Sequence, residues 1–434
     1  MHRPKQSKIK SVCLSLAIMI LLVLPFSSSG QSSLEVFLDS ALVNNPEAVS
    51  IQTQINSYKY DDQMIEAILR SPKAYVSSEV LVAPYLNNQG KIIDTAPSNN
   101  AIGYDISITN GGLYSLLFNL ELPLLKRKQV VHLQEENKVE VEKLKTRLSL
   151  IEIELRRSVG SIYFDALAQQ ASVESNRQNI ALLNEEFQLI KNLTSKGLFH
   201  ISDYKMMELE LKTDSIDLNT SVNDLELAIR QMKAACGIRS RDISVLTNPL
   251  IVTTEPINKP SLFISSFSHD SLATVSQQKV FNDRYLPQLS AFANSGLNSN
   301  SIPNMQRHIG ASAGVLLSYN LFDGHQKKIN QDQQLLQIDE AARQTRLKLR
   351  EVKTQSDAFL QNIGKTRDEL IKEKQIQIEY KELLVLYQDE VQRAQISVID
   401  LITFLKKCSS INLAISIKEI TLKKLINEYN YWNN

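Results

Sequence analysis

Proline is missing from two long stretches of this chain, residues 124–248 and 304–434. Its ring and its missing N–H exclude it from helix interiors, so both stretches are free to run as continuous helix. Cysteine is scarce as well: beyond the first thirty residues only Cys236 and Cys408 remain. Two isolated thiols in helical runs make no disulfide framework and read as small buried residues. The later histidines, His132, His200, His269, His308 and His325, are scattered, with no His-x-x-x-His pair and no nearby cysteine. That pattern offers no metal site. No G-x-S-x-G, Walker or dinucleotide loop occurs, and "GASAG" (310–314) lies on an expected strand and opens no helix. The expectation is a protein that is not an enzyme and holds no cofactor. Acid pairs such as Glu135–Glu136 and Glu185–Glu186 read as solvated helix surface.

An excess of charge is missing too, at a formal +1 for the whole chain. The first ten residues are basic, "SVCLSLAIMILLVLPF" is apolar, and "SSSG" is small. Residues 1–30 therefore read as a secretory signal peptide, with the mature chain starting near Gln31. Losing Arg3, Lys5, Lys8 and Lys10 and no acid takes the charge from +1 to −3. A mildly acidic exported chain has no general affinity for nucleic acid. No cysteine follows the cleavage site, so a lipid anchor is not indicated.

What is present is periodicity. From Lys126 to Lys196 apolar residues recur at three- and four-residue steps, as in Leu144, Leu148, Ile151, Leu155, Val159 and Ile162. A helix of about 70 residues is about 105 Å long, far beyond the usual length, and implies a bundle or coiled coil. The run from Gly324 to Arg393 is similar. Elsewhere the period is two. Tyr104, Ile106, Ile108, Tyr114, Leu116, Phe118, Leu120 and Leu122 alternate with mostly polar residues, and so do the odd positions from Ile309 to Leu321. Long alternating runs give strands with one oily and one wet face. Weaker alternation at 71–86 and 285–297 precedes two polar loops, 87–103 and 298–308. Ordinary hairpins on a soluble core are the bland alternative; strand length and the export signal favour membrane strands.

One offset recurs. "KGLFHISDY" (196–204) breaks the first helical run and "RAQISVIDL" (393–401) the second, 197 positions later. "PLLKRKQ" (123–129) aligns with "NLFDGHQ" (320–326) at the same offset. The chain thus reads as an internal duplication, a first repeat at 31–238 and a second at 262–434, joined by a linker at 239–261 with three prolines. The expected strands are about 72–86, 104–122, 285–297 and 309–322, with helical hairpins at about 126–236 and 324–432. Four strands alone would leave an open sheet edge in hydrocarbon, so copies must close it. Eight-stranded barrels fill themselves with side chains, and three chains give the smallest count with an open lumen.

The order of elements, the "YLP" strand start at 285, the "NLFDG" junction at 320–324 and the "GLFHISDY" turn at 197–204 resemble the TolC family of outer-membrane efflux and secretion channels. The resemblance covers essentially the whole mature chain. It implies an α+β membrane protein, a homotrimer with a twelve-stranded β-barrel continued by a twelve-helix periplasmic tunnel. It also implies residence in the outer membrane lipid of a Gram-negative bacterium and docking on a periplasmic adaptor of the membrane-fusion type. Behind the adaptor would stand an inner-membrane RND or ABC transporter.

In that family the tunnel narrows near the turns. Asp400 matches one constriction aspartate, while Thr403 stands at a second and Ile396 at a nearby arginine. The charged lock is thereby reduced, and a gate held more by apolar packing is expected. The resemblance implies that Gly197, Leu198, Ser202, Asp203, Ala394 and Ser397 are the turn and adaptor-contact residues. Gly197 is suited to a positive φ, Ser202 or Asp203 to capping the returning helix, and Ser397 to capping in the second turn. Asp400 as a simple helix-start carboxylate is the plainer reading. Three alternatives remain: an adaptor, which should show one hairpin inside β-rich halves, a coiled-coil filament, and, more distantly, an enzyme.

Overall fold

The computed structural model describes residues 31–434 apart from 82, 95, 105–113, 241–244, 256–260 and 300–301. Seven α-helices are present among them: α1 (Leu34–Asn44), α2 (Pro46–Arg70), α3 (Arg127–Ser195), α4 (Ile201–Ala235), α5 (Leu262–Asn282), α6 (Gln326–Gln392) and α7 (Val398–Trp432). The strands are β1 (Gln31–Ser32), β2 (Lys73–Val80), β3 (Tyr114–Pro123), β4 (Val245–Leu246), β5 (Gln288–Ser299) and β6 (Ile309–Ser318). The long helices α3 and α6 hold 69 and 67 residues and lie in the two proline-free zones. Among the described residues no helix is long and apolar enough to cross a membrane.

The chain divides into two compact units. One comprises 31–45, 155–253 and 358–431. Its core gathers Phe37, Tyr163, Phe164, Leu167, Met232 and Cys236, with Phe37 and Phe164 at 5.8 and 6.1 Å from the Tyr163 ring. Tyr163 is fully buried, and its hydroxyl donates to the Thr247 carbonyl at 2.6 Å. The Gln170 amide donates to the Leu246 carbonyl and accepts the Leu246 N–H, standing in for a neighbouring strand beside β4. Gly160 lets α3 and α7 approach closely, since a Cβ there would fall 2.8 Å from Asn427 Nδ2. That amide donates to the Arg157 carbonyl. Both cysteines are buried and free, and burial pushes the Cys236 thiol up to about 11.

The second unit comprises 46–154, 254–357 and 432–434 and holds an antiparallel sheet in the order β2-β3-β5-β6. Register makes it two-faced. One face carries Val76, Phe118, Ala293 and Ala313 with Leu116, Leu120, Val315 and Leu317. The other carries Tyr75, Asn119, Asn294 and Ser312. There Asn119 donates to Ser77 at 2.7 Å and Ser312 to Asn294 at 2.8 Å. The apolar face is largely solvent-exposed in the single chain, as is the outer edge of β2 and of β6.

Two strand boundaries differ from expectation. β2 ends at Val80, not near 86, because Asn88 organises the next segment. Asn88 is buried, accepts the Ser98 N–H at 2.8 Å and donates to Lys91 and Asp94. β6 ends at Ser318, not 322, because Asp323 turns the chain into α6 by accepting the amides of His325 and Lys327 at 2.9 Å. The expected strand from 104 is seen from Tyr114, and 105–113 lie outside the described residues.

Candidate gate at the two helical turns

Both turns lie in the first unit and share one hydrogen-bond pattern. After α3, the Leu198 N–H reaches the Leu193 carbonyl at 3.1 Å and the Gly197 N–H reaches Thr194 at 2.9 Å. After α6, the Gln395 N–H reaches Glu390 and the Ala394 N–H reaches Val391, both at 2.9 Å. These are Schellman ends, which satisfy the orphan carbonyls of a helix through one left-handed residue. Gly197 has φ +78° and Ala394 φ +56°. Alanine in that region carries a steric penalty of about 1–2 kcal/mol that glycine does not.

The returning helices start alike, with one correction. α4 begins at Ile201, so its cap is His200, and Ser202 is already inside the helix. Asp203, at the third position, reaches back to accept the His200 N–H at 3.0 Å. In the second turn Ser397 stands at the cap. Its hydroxyl accepts the Asp400 N–H at 3.1 Å and donates to the Asp400 carboxylate at 2.6 Å. Asp203 and Asp400 are thus equivalent third-position carboxylates, each tying a helix start and each favoured by the helix dipole.

Beneath the turns Leu183, Ile190, Leu193, Met207, Val391, Val398, Leu401 and Leu405 form one apolar cluster. Phe199 and Ile396, again at equivalent positions, pack against it. Ile396 is therefore drawn into its own turn, apart from the other two expected gate residues. Asp400 and Thr403 share an exposed face at the start of α7, beside the 55% exposed Ile399. The Thr403 hydroxyl is occupied by the Ile399 carbonyl at 2.8 Å. Leu198 stands exposed at the tip of the first turn.

Polar links inside this unit join the two hairpins, and the sequence reading missed them. Gln388 of α6 donates to Glu186 of α3 at 2.7 Å, and Lys406 of α7 pairs with Glu210 of α4. Glu186 is only 5% exposed, not the solvated residue expected, and its Oε2 has no partner among the described residues. Burial holds its carboxyl above the usual range, against the opposing pull of the Gln388 bond. The available signal was its spacing, since Leu183, Glu186, Ile190 and Leu193 recur on one helical seam. Asp214, which accepts from Asn179 at 2.6 Å, is likewise raised by burial, with Glu210 adding to the effect. Among the described residues no group of three or more His, Cys, Asp or Glu is placed to hold a metal.

No protein-family model matches the chain, and no curated protein matches it. Solved structures do. The outer membrane protein VceC of Vibrio cholerae aligns over 92% of this chain and 95% of its own, at 13% identity and TM-score 0.65. The outer-membrane channel OprN aligns over 92% and 89%, at 14% identity and TM-score 0.66. This chain has the fold of the TolC-family outer-membrane channels. The Neisseria gonorrhoeae MtrE channel, solved in an open state, aligns over 92% and 89% at 12% identity and TM-score 0.64. At such identities the likeness carries the architecture. The roles of individual side chains rest on this chain's own geometry.

Proposed function

We propose that this protein is an outer-membrane exit duct, a passive conduit that receives cargo from an inner-membrane transporter through a periplasmic adaptor. The observation that carries the reading is the two-faced, four-stranded sheet with both edges open. In a membrane such a sheet must be closed by copies of itself, and three copies give twelve strands around an open lumen. The long helices would supply the periplasmic tunnel, the two repeats 31–238 and 262–434 contributing alike through the linker 239–261. The fold, shared with proteins described as outer-membrane channels, supports the same placement. Two helical hairpins and a single four-stranded sheet fit an adaptor poorly, and a coiled-coil filament leaves the sheet without a purpose.

In this reading the turns form the periplasmic end. Asp400 and Thr403 would face the lumen, Ile396 and the apolar cluster would hold the closed packing, and Gly197, Leu198, Asp203, Ala394 and Ser397 would shape the surface met by the adaptor. The test is fractionation and crosslinking of the full chain. It should remain with outer membranes after an alkaline wash and crosslink to a trimer. A chain released by the wash, or monodisperse as a monomer with its β signal intact, would sink the proposal.

A further inference from the structure

At the helix end of the sheet, both strand-to-helix junctions expose a pair of large apolar residues. Leu321 and Phe322 are 90% and 82% exposed, and Leu124 and Leu125 are exposed at the position 197 residues earlier. Cations follow each pair: Lys126, Arg127 and Lys128 at once in the first junction, and Lys327 and Lys328 after the Asp323–Gln326 turn in the second. All but the half-buried Lys126 are exposed, and none pairs with a carboxylate among the described residues. Three acids at the junctions are engaged elsewhere, while Asp332, one turn on from Lys328, is exposed and forms no ion pair with it. Asp323 takes two backbone amides and the Tyr285 hydroxyl, Asp283 binds His132 at 2.9 Å, and Glu121 accepts the Tyr75 hydroxyl. The cations also do nothing for their own helices, since positive charge in a first turn opposes the helix dipole.

Their position explains what they meet. The apolar pairs come one to four residues after the last residues of β3 and β6, whose apolar faces are exposed, and the cations follow them toward the long helices. Arg284 lies over the Phe281 ring at 5.2 Å and Lys327 over the Tyr285 ring at 5.6 Å, which adds aromatic groups at the same level. Aromatic and apolar residues backed by lysine and arginine are the composition of a membrane–water boundary, where amines reach acidic headgroups and their neighbours dip into acyl chains.

We propose that the two junctions form a belt that binds anionic phospholipid headgroups of the periplasmic leaflet, with the Leu–Leu and Leu–Phe pairs seated in the acyl region. The inference rests on the outer-membrane reading above. To test it, full-length protein is folded into vesicles of phosphatidylethanolamine and phosphatidylglycerol in equal amounts, then extracted in mild detergent and its retained lipids counted. Phosphatidylglycerol should be enriched roughly ten-fold in the wild type. Combined Lys126→Gln, Arg127→Gln, Lys128→Gln, Lys327→Gln and Lys328→Gln should bring retention to parity. If that variant does not fold, each junction neutralised alone should roughly halve the enrichment.

Millimolar inorganic phosphate should leave the enrichment intact; displacement by phosphate would make this a free-anion site and overturn the lipid assignment. Unchanged enrichment in the variants overturns it as well. So does a Leu321→Ser, Phe322→Ser variant that falls apart into single chains with its lipid retention unaltered, because the pair would then be a contact between copies. Protein that inserts but shows no enrichment refutes only the belt, whereas protein that never enters the vesicles refutes the outer-membrane reading too.

Discussion

Glu186 offers the sharpest perturbation of the turn region. Its folded-state pKa is raised by burial, so the packed hairpins hold the proton more tightly than opened ones do. The stabilisation is then fully present below the ordinary value of 4.5 and is lost as pH rises through the raised value. Each unit of that rise is worth about 1.4 kcal/mol, or about ten-fold in the local opening constant. The geometry supports an effect of this size, because a buried acceptor without a partner costs about 1–3 kcal/mol and Glu186 Oε2 is one. Glu186→Gln keeps a carbonyl to accept from Gln388 and removes the charge. Hydrogen exchange of peptides covering 183–193 and 384–391, corrected for intrinsic rates, reads the opening directly. In the wild type, protection should fall as pH rises above the ordinary carboxylate value of 4.5. In Glu186→Gln the curve should flatten, with about ten-fold slower opening at neutral pH. Asp214 is raised in the same direction and lies near Glu210, Asp217 and Lys406, so Asp214→Asn serves as the companion control. A flat wild-type profile, or a slope undiminished in Glu186→Gln, would refute the assignment.

Other outcomes follow from the same geometry. Gly197→Ala should destabilise its turn by about 1 kcal/mol, whereas Ala394→Gly should be neutral to slightly stabilising, as local hydrogen exchange would reveal. Gly160→Ala should cost about 1–3 kcal/mol by driving a methyl into Asn427 and weakening its bond to Arg157, seen as a lower midpoint in thermal unfolding. Asp400→Asn should remove most of a weak block by multivalent cations in bilayer recordings from the periplasmic side, while Asp203→Asn should leave it; unchanged block in Asp400→Asn would reduce that residue to a helix-start carboxylate. In the proposed duct the loops 87–103 and 298–308 lie at the end opposite the long helices and face the exterior, so cysteines at the exposed Gln89 and Gln306 should react with an impermeant thiol reagent on whole cells; labelling only after lysis would overturn that orientation.

The helices and strands could be read largely because their patterns are long. Proline-free spans of more than a hundred residues leave little but helix, and clean alternation from Ile309 onward fixes a face as well as a strand. The readings went astray where one side chain decides a local contest. Alternation continues weakly past Val80, but Asn88 gathers its own loop and ends the strand. Ser202 is the better capping type, yet the cap falls two residues earlier, at His200, because Asp203 can serve the His200 amide from inside the helix. Glu186 looked solvated beside Glu185, and only its place in the seam of Leu183, Ile190 and Leu193 marks it as buried. Ser397 as a cap and Asp400 as a helix-start carboxylate were legible one by one; that they bond each other depends on the turn geometry.

The open edges of β2 and β6 carry a consequence for counting. In the proposed ring, hydrogen bonding between β6 of one copy and β2 of the next would be the same at every joint, so the edges would contain no instruction to stop. Copy number in that ring would then be set by strand tilt, sheet curvature and the spacing the helices tolerate. A chain altered in curvature would change how many copies close the ring before it changed how tightly any two adhere. A chain alone in a bilayer would leave both edges unpaired in hydrocarbon, so in the proposed ring insertion and closure would be coupled.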